Sequence, residues 1–185
     1  MKKILFAAAF AALALAGPAV AQNFPTRPVT MVIPFAAGGP QDTIGRIVAQ
    51  RMSELLGQPV VIENVGGAGG MTGSKRVADA KPDGYTMILG SVGTHAQNQT
   101  LYKHPLYNVE TDFTPVAYLA VTPIAIIARP DLPAGNFREF IDYAKANQAK
   151  MQYGSAGAGS ATHLACVVLN SAMGTTITHI PYKGT

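Results

Sequence analysis

Three short turns, each placed after a run of apolar residues, carry the groups best suited to binding an anion. They are residues 35–42, 90–95 and 154–162, which we call the first, second and third turns. The first and third are rich in glycine, and each leads into a segment with helical periodicity. A helix N-terminus after such a turn offers unpaired backbone N–H groups and the positive end of the helix dipole. Both turns therefore predict anion sites, although a tight strand–helix connection without a ligand is the alternative for the first turn.

The absence of lysine and arginine from both glycine-rich turns decides how an anion could be held there. A carboxylate must be bound by backbone N–H groups, Ser and Thr hydroxyls and trapped water. Asp42 is expected to stabilise the dipole of the first helix and to bond turn amides, or to accept a hydrogen bond from a ligand amine or hydroxyl. His163 is expected to pack or to support other ligand-binding residues. The predicted ligand contacts are Phe35, Ala36, Gly38, Gly39, Asp42, Ser91, Thr94, His95, Ser155, Gly157, Gly159, Ser160 and Thr162.

Catalytic chemistry has weaker support in the same residues. Ser160 and His163 could share a helix face, but no obvious carboxylate completes a triad. The stretch 157–162 begins like a dinucleotide fingerprint, yet threonine stands where its last glycine belongs, and the chain lacks a Walker loop. The histidines have no metal-ligand spacing. We therefore predict no catalytic residue, metal or cofactor, and we retain as the alternative an exported α/β hydrolase or lyase that acts on a small acid.

The N-terminal residues predict export. Residues 1–21 combine two lysines, an apolar run and the A-x-A cleavage site Ala19-Val20-Ala21, which is the pattern of a cleavable signal peptide. Removing it leaves 12 Lys and Arg against 10 Asp and Glu, so the net charge is +2 and not +4. No basic run indicates a nucleic-acid partner. We expect a monomeric periplasmic protein, in which the single cysteine, Cys166, is a small buried residue without a disulfide.

The elements that must position the turns follow a β-α-β order, which predicts an α/β fold with mainly parallel sheets. Ligands of such sheets bind beyond the carboxyl ends of the strands, where all three turns would lie. The glycines of residues 66–73 are expected to allow positive φ and close packing. Strands are predicted at 29–35, 59–64, 85–89, just before the third turn and at 175–181, with two more in 114–129 that cross over near 120–123.

The helices are predicted from their apolar faces. The first begins at Pro40 and ends at Gly57, the second ends near residues 81–84, the third is capped by Gly135 or Asn136, and the fourth ends at Gly174. A short helix is also expected within 98–112. The faces expected to be buried are Ile44, Ile47, Val48, Met52, Leu55 and Leu56; Val77 and Ala78; Phe137, Phe140, Ile141 and Ala144; and Leu164, Val167, Val168 and Ala172.

Eight motifs in one order make the chain recognisable. The motifs are Pro34-Phe-Ala-Ala-Gly-Gly-Pro-Gln-Asp-Thr43, Leu56-Gly-Gln-Pro-Val-Val-Ile-Glu-Asn64, Gly66-Gly-Ala-Gly-Gly70, Pro82-Asp-Gly-Tyr85, Asp112-Phe-Thr-Pro115, Tyr153-Gly-Ser-Ala-Gly157, Thr162-His-Leu164 and His179-Ile-Pro-Tyr-Lys-Gly184. With them the chain resembles the Bug family, the extracytoplasmic solute receptors of tripartite tricarboxylate transporters, over essentially all of its predicted mature length.

The resemblance implies a two-lobed periplasmic binding protein of type II. Such a protein closes over a small carboxylate and presents it to integral membrane transporter subunits. We expect the first lobe at residues 22–120 and the start of the second at 121–185. Family members continue past this point, so the resemblance also leads us to expect that the second lobe is truncated here.

Overall fold

The fold begins with a three-stranded parallel sheet. The computed structural model describes residues 23–184, so the predicted signal peptide lies outside the described residues. The strands are β1 (Val29–Ile33), β2 (Val60–Asn64) and β3 (Thr86–Ile88), in the order β2-β1-β3. Parallel strands of one sheet require crossover connections. Helix α1 (Pro40–Leu56) connects β1 to β2, and helix α2 (Met71–Ala78) lies on the connection from β2 across the sheet to β3. We call this assembly the first unit.

Strand β1 is central because its residues are apolar on both faces. Val29, Val32 and Ile33 are fully buried, and Met31 is nearly so. In register, Val29 pairs with Val60 of β2, while Met31 pairs with Ile62 on one side and Met87 on the other. The predicted strands at 29–35, 59–64 and 85–89 are therefore present with slightly shorter bounds.

Helix α1 has the predicted ends and most of the predicted buried face. It begins at Pro40 and is closed by Gly57, which adopts φ +67 and donates its N–H to the carbonyl of Ser53. The predicted Val48, Met52 and Leu56 pack on the core, beside the buried Gly45 and Ala49. Ile47 and Leu55, also expected inside, are 65% and 70% exposed.

The second unit repeats the βαβ arrangement. Strands β4 (Gln152–Ser155) and β5 (Thr178–Pro181) pair in parallel and are joined by the long helix Ala161–Met173. Helix Phe137–Asn147, capped by the Asn136 side chain, precedes them. Two short helices lie between the units, α3 (Asn98–Leu101) and α4 (Val109–Asp112). Helix Phe137–Asn147 is therefore α5, and helix Ala161–Met173 is α6.

The core of the second unit corrects two predicted faces. Its buried residues are Ala144, Met173 and Ile177, with Phe140, Ile141, Met151, Tyr153 and Leu169 packed against them. Phe137 is exposed at the start of α5, and Val167, Val168 and Ala172 are exposed on α6. Leu164 is half-buried, and so is Cys166, which was expected inside. Helical periodicity indicates that a face exists, but the sheet on which the helix lies decides which face it is.

The two strands predicted in residues 114–129 are wrong. The segment has no regular secondary structure, and its apolar side chains face solvent; Val116 is 87% exposed and Ile127 is 90% exposed. A strand needs a neighbour for its ladder of hydrogen bonds, and none lies beside this segment among residues 23–184. The segment belongs to neither buried cluster, so the division of the chain at residues 120 and 121 stays a prediction.

Candidate functional site

The first turn is fixed by the carboxylate of Asp42. Gly38 donates its backbone N–H to Asp42 Oδ2 at 2.9 Å, and Arg46 Nε donates to the same oxygen at 2.9 Å. Asn64 Nδ2 donates to Asp42 Oδ1, also at 2.9 Å. The Arg46 hydrogen bond is the main reason that the pKa of Asp42 is lowered to about 2. Asp42 therefore bonds a turn amide, as expected, and its carboxylate is already occupied by three protein donors.

The amides of the first turn fall into two groups. Gly38 is bound to Asp42, and Ala36 donates its N–H to the carbonyl of Lys183 at 3.3 Å, because the chain after β5 returns to this turn. Ala37 and Gly39 have no hydrogen-bond acceptor for their N–H groups among residues 23–184. Sequence reasoning omitted Ala37, although its place inside the turn was a sufficient signal.

A buried serine and two stacked histidines support the third turn. Gly157 donates its N–H to Ser155 Oγ at 3.1 Å, and Ser155 Oγ lies 2.6 Å from His179 Nε2. The rings of His179 and His163 stack with 4.0 Å between centroids. Gly159 donates its N–H to His163 Nδ1 at 3.2 Å. His163 therefore packs and supports the turn, as expected.

The hydroxyls at the start of α6 are also engaged within the turn. Ser160 is its N-cap, and its Oγ accepts the N–H of His163 at 3.2 Å. Thr162 Oγ1 accepts the N–H of Ala156 at 3.0 Å. The N–H groups of Ala161 and Thr162, in the first turn of α6, have no acceptor within the described chain. The open donors of the third turn are thus backbone amides.

No catalytic serine emerges from this geometry. Ser160 contacts the backbone of His163 and not its ring, because the Nδ1 of that ring is taken by Gly159. The Ser155–His179 pair is close, but Ser155 is only 1% exposed. The other contacts of the His179 ring are aromatic, with Tyr153 and His163. A carboxylate that would orient the histidine is not among its contacts within residues 23–184.

The second turn is built around Thr94, which is fully buried. Thr94 Oγ1 accepts the N–H of Ser91 at 2.9 Å and lies 2.8 Å from His95 Nδ1, while Tyr107 donates its hydroxyl to the carbonyl of Thr94. His95 makes an edge contact with Phe113, and burial lowers its pKa. Tyr107 and Phe113 were not predicted, because their contacts depend on the fold of the connection between the units.

The glycine loop, residues 66–70, holds the three turns together. A Cβ on Gly69 would lie 2.4 Å from the carbonyl oxygen of Ala158 in the third turn, so only glycine permits this approach. Tyr102 donates its hydroxyl to the same carbonyl at 2.8 Å. The buried Asn98, with its amide nitrogen toward Gly93 and Gly159, donates to both carbonyls, at 3.2 and 3.1 Å. The expected close packing of the loop is confirmed.

An open concavity runs past the three turns. At about 2720 Å³ it exceeds the roughly 300–1,000 Å³ of typical ligand pockets, because its lining continues along residues 113–129. Among the predicted contacts, Phe35, Ala36, Gly39, Asp42, Ser91, His95, Ser160 and Thr162 line it. The remaining predicted contacts do not line it: Gly38 is exposed outside it, and the others, which are buried, are Thr94, Ser155, Gly157 and Gly159.

Metal binding and membrane insertion have no support among residues 23–184. No group of three or more His, Cys, Asp or Glu side chains is placed to hold a metal ion in that part of the chain. Within the same residues, no helix combines the length and hydropathy that a membrane span requires. The amide-lined turns are therefore the candidate site.

The family of the chain follows from sequence comparison. Residues 44–185 match the family described as "Tripartite tricarboxylate transporter family receptor". The chain belongs to this receptor family. It is also 42% identical over 177 residues to a UPF0065 protein from Bordetella pertussis, an alignment that covers 96% of this chain and 54% of the relative. The chain thus spans about half the length of the curated relatives it matches.

Solved structures of receptors have the same fold. The periplasmic binding protein BugD is 46% identical and superposes with a TM-score of 0.85 over 88% of this chain and 54% of BugD. MatC from Rhodopseudomonas palustris, solved with bound malate, is 41% identical with a TM-score of 0.83 over 87% of this chain and 55% of MatC. The α/β fold of a periplasmic binding protein is confirmed, and the comparisons place the chain among receptors and not among enzymes.

Proposed function

We propose that the protein is a periplasmic receptor that binds a small carboxylate and delivers it to membrane subunits of a tripartite tricarboxylate-type transporter. Membership of the receptor family and the likeness to malate-bound MatC support this function. The observation that carries it is the pair of turns beside one concavity, each with open backbone N–H groups. A monomer is sufficient for this function, because both turns belong to one chain.

The open amides define where the carboxylate binds. We place its oxygens on the N–H groups of Ala37 and Gly39 in the first turn and of Ala161 and Thr162 in the third. Phe35, Ser91 and His95 line the same concavity and complete the contacts. The buried members of the predicted set, such as Ser155 and Thr94, hold the turns in shape through the hydrogen bonds described above.

Backbone amides suffice for useful affinity. A hydrogen bond to a charged group contributes about 1.5–3 kcal/mol. Three or four such bonds approach the roughly 8 kcal/mol of a micromolar dissociation constant. Hydroxyl truncations should therefore weaken binding modestly, whereas a change that blocks the approach to the amides should weaken it severely.

Gly39 offers a direct test because its backbone tolerates any residue. With φ −76 and ψ 170, Gly39 is extended, so valine there adds bulk without backbone strain. Calorimetry with malate should show that Gly39→Val abolishes binding. The matched control is Gly135→Val, which adds the same side chain at the exposed turn before α5, away from the concavity. Normal malate binding by Gly39→Val would contradict the proposed site.

A further inference from the structure

The proposed anion site contains a negatively charged side chain of its own, Asp42. The carboxylate of Asp42 lines the concavity beside the first turn, where the proposed ligand is itself an anion. Its pKa, lowered to about 2, keeps it charged at any physiological pH. Neither turn supplies a cation to offset that charge. An unbalanced carboxylate in this place would repel the ligand.

Two side chains from different elements bind that carboxylate, and one of them, Arg46, is a cation. Arg46, one helical turn after Asp42 on α1, donates its Nε to Asp42 Oδ2 at 2.9 Å. Asn64, at the end of β2, donates its Nδ2 to Asp42 Oδ1 at 2.9 Å and to the carbonyl of Phe35 at 3.3 Å. Arg46 Nη2 also donates to Asn64 Oδ1, at 3.4 Å. We call Asp42, Arg46 and Asn64 the Asp42 clamp.

The two ends of the ion pair are exposed to very different degrees. The side chain of Asp42 is 4% exposed, whereas that of Arg46 is 57% exposed. Asp42 is therefore shielded from water, while its cationic partner reaches the solvent. Gly38 depends on the same carboxylate, since it adopts φ +85 and its N–H is bound to Asp42 Oδ2.

We propose that Arg46 and Asn64 are positioning residues of the anion site, because Arg46 neutralises and Asn64 orients the carboxylate that holds the first turn. Asp42 shapes the turn so that the amides of Ala37 and Gly39 stay open. Arg46 cancels the charge of Asp42, so the turn accepts an anion without presenting a cation to it. The inference rests on the proposed function, because it concerns the same carboxylate site.

Removing the positive charge of Arg46 should weaken ligand binding in a defined way. Arg46→Gln leaves Asp42 charged and uncompensated, so malate affinity should fall on the order of tenfold at low salt. Added salt should reduce that loss, because it screens the repulsion. Changing Asp42 to Asn in the Arg46→Gln background should restore most of the affinity, since no charge then needs to be cancelled.

Arg51 provides the matched control. It lies on the same helix, pairs with Glu54 at 2.7 Å and is exposed. Nine residues of helix separate it from Asp42, about 14 Å at 1.5 Å per residue, which exceeds a Debye length of about 8–10 Å. Arg51→Gln removes the same formal charge and should change malate affinity less than twofold.

The experiment is calorimetry with malate on four proteins: the wild type, Arg46→Gln, Arg51→Gln and the Asp42→Asn/Arg46→Gln double variant. A large loss confined to Arg46→Gln with recovery in the double variant supports the proposal. Equal effects of Arg46→Gln and Arg51→Gln overturn it, because the loss would then reflect net charge. A double variant weaker than Arg46→Gln also overturns it, because Asp42 and Arg46 would then act only as structural supports.

A titration without ligand separates this inference from the proposed function. The pKa of Asp42, measured by carboxyl NMR, should be about 2 in the wild type and higher in Arg46→Gln. In Arg51→Gln it should equal the wild-type value. The amide of Gly38 should also exchange with solvent faster in Arg46→Gln. A wild type that binds no malate contradicts the proposed function alone. An Asp42 pKa that is unchanged in Arg46→Gln overturns the clamp whether or not malate binds.

Discussion

Replacing Gly69 with alanine tests the contact by which the glycine loop joins the third turn. The added Cβ would lie 2.4 Å from the carbonyl oxygen of Ala158, a distance that Cβ atoms do not adopt, so the loop or the turn must move. Such overpacking costs about 1–3 kcal/mol. Gly69 also has φ +62, and a left-handed backbone costs alanine a further ~1 kcal/mol. The free energy of unfolding should therefore fall by roughly 2–4 kcal/mol.

Gly57→Ala separates the contact from the backbone strain. Gly57 has φ +67, close to that of Gly69, but a Cβ there would meet nothing within 4 Å. Its substitution should lower the free energy of unfolding by only ~1 kcal/mol. Urea denaturation of both variants, followed by circular dichroism, measures the difference. Equal destabilisation of Gly57→Ala and Gly69→Ala would refute the close approach of the loop to the third turn.

Two further predictions concern the histidine stack and the core. Burial and the neighbouring His163 lower the pKa of His179, so the unfolded state takes up a proton first as the pH falls. The free energy of unfolding should be highest above the ordinary histidine pKa of 6.5 and should decrease as the pH falls below it. Urea denaturation of the wild type and of His179→Gln across this pH range should show that the free energy decreases less in the variant. Ile33→Ala, at a fully buried position, should cost about 2–5 kcal/mol, whereas Ile47→Ala on the same unit should stay within about 0.5 kcal/mol. Thermal melts that rank these two variants equally would contradict the assigned core.

Local signals in the sequence were sufficient for most of the elements and for the ends of α1 and α6. The β-branched run of β1, Pro40 at the start of α1 and Gly57 and Gly174 at helix ends each act within a few residues. Sequence patterns gave the wrong structure where contact with another element decides it. Residues 114–129 have strand composition, but composition supplies no pairing partner. The buried faces of α1 and α6 depend on the sheets beneath them.

The candidate site shows the same division between local and tertiary causes. The turns were predicted because a strand, a glycine turn and a helix follow one another in the chain. The bond of Asp42 to a turn amide was predicted as well. The binding of the Ala36 amide by Lys183 and of Asp42 by Asn64 was not, since these partners lie on distant elements. Hydroxyls such as Ser155 were predicted to face a ligand and are instead buried in hydrogen bonds that shape the turn.

An amide NMR titration with malate tests the central claim most directly, because it reports each backbone N–H separately. We expect saturable shifts that are largest at the four proposed amides, which are those of Ala37, Gly39, Ala161 and Thr162. The amides of Ala36 and Gly38 should be less affected, because protein groups already hold them. Malate should remain chemically unchanged throughout the titration. An absence of saturable shifts, or the largest shifts at an exposed arginine such as Arg129, would contradict binding by the backbone amides of the two turns.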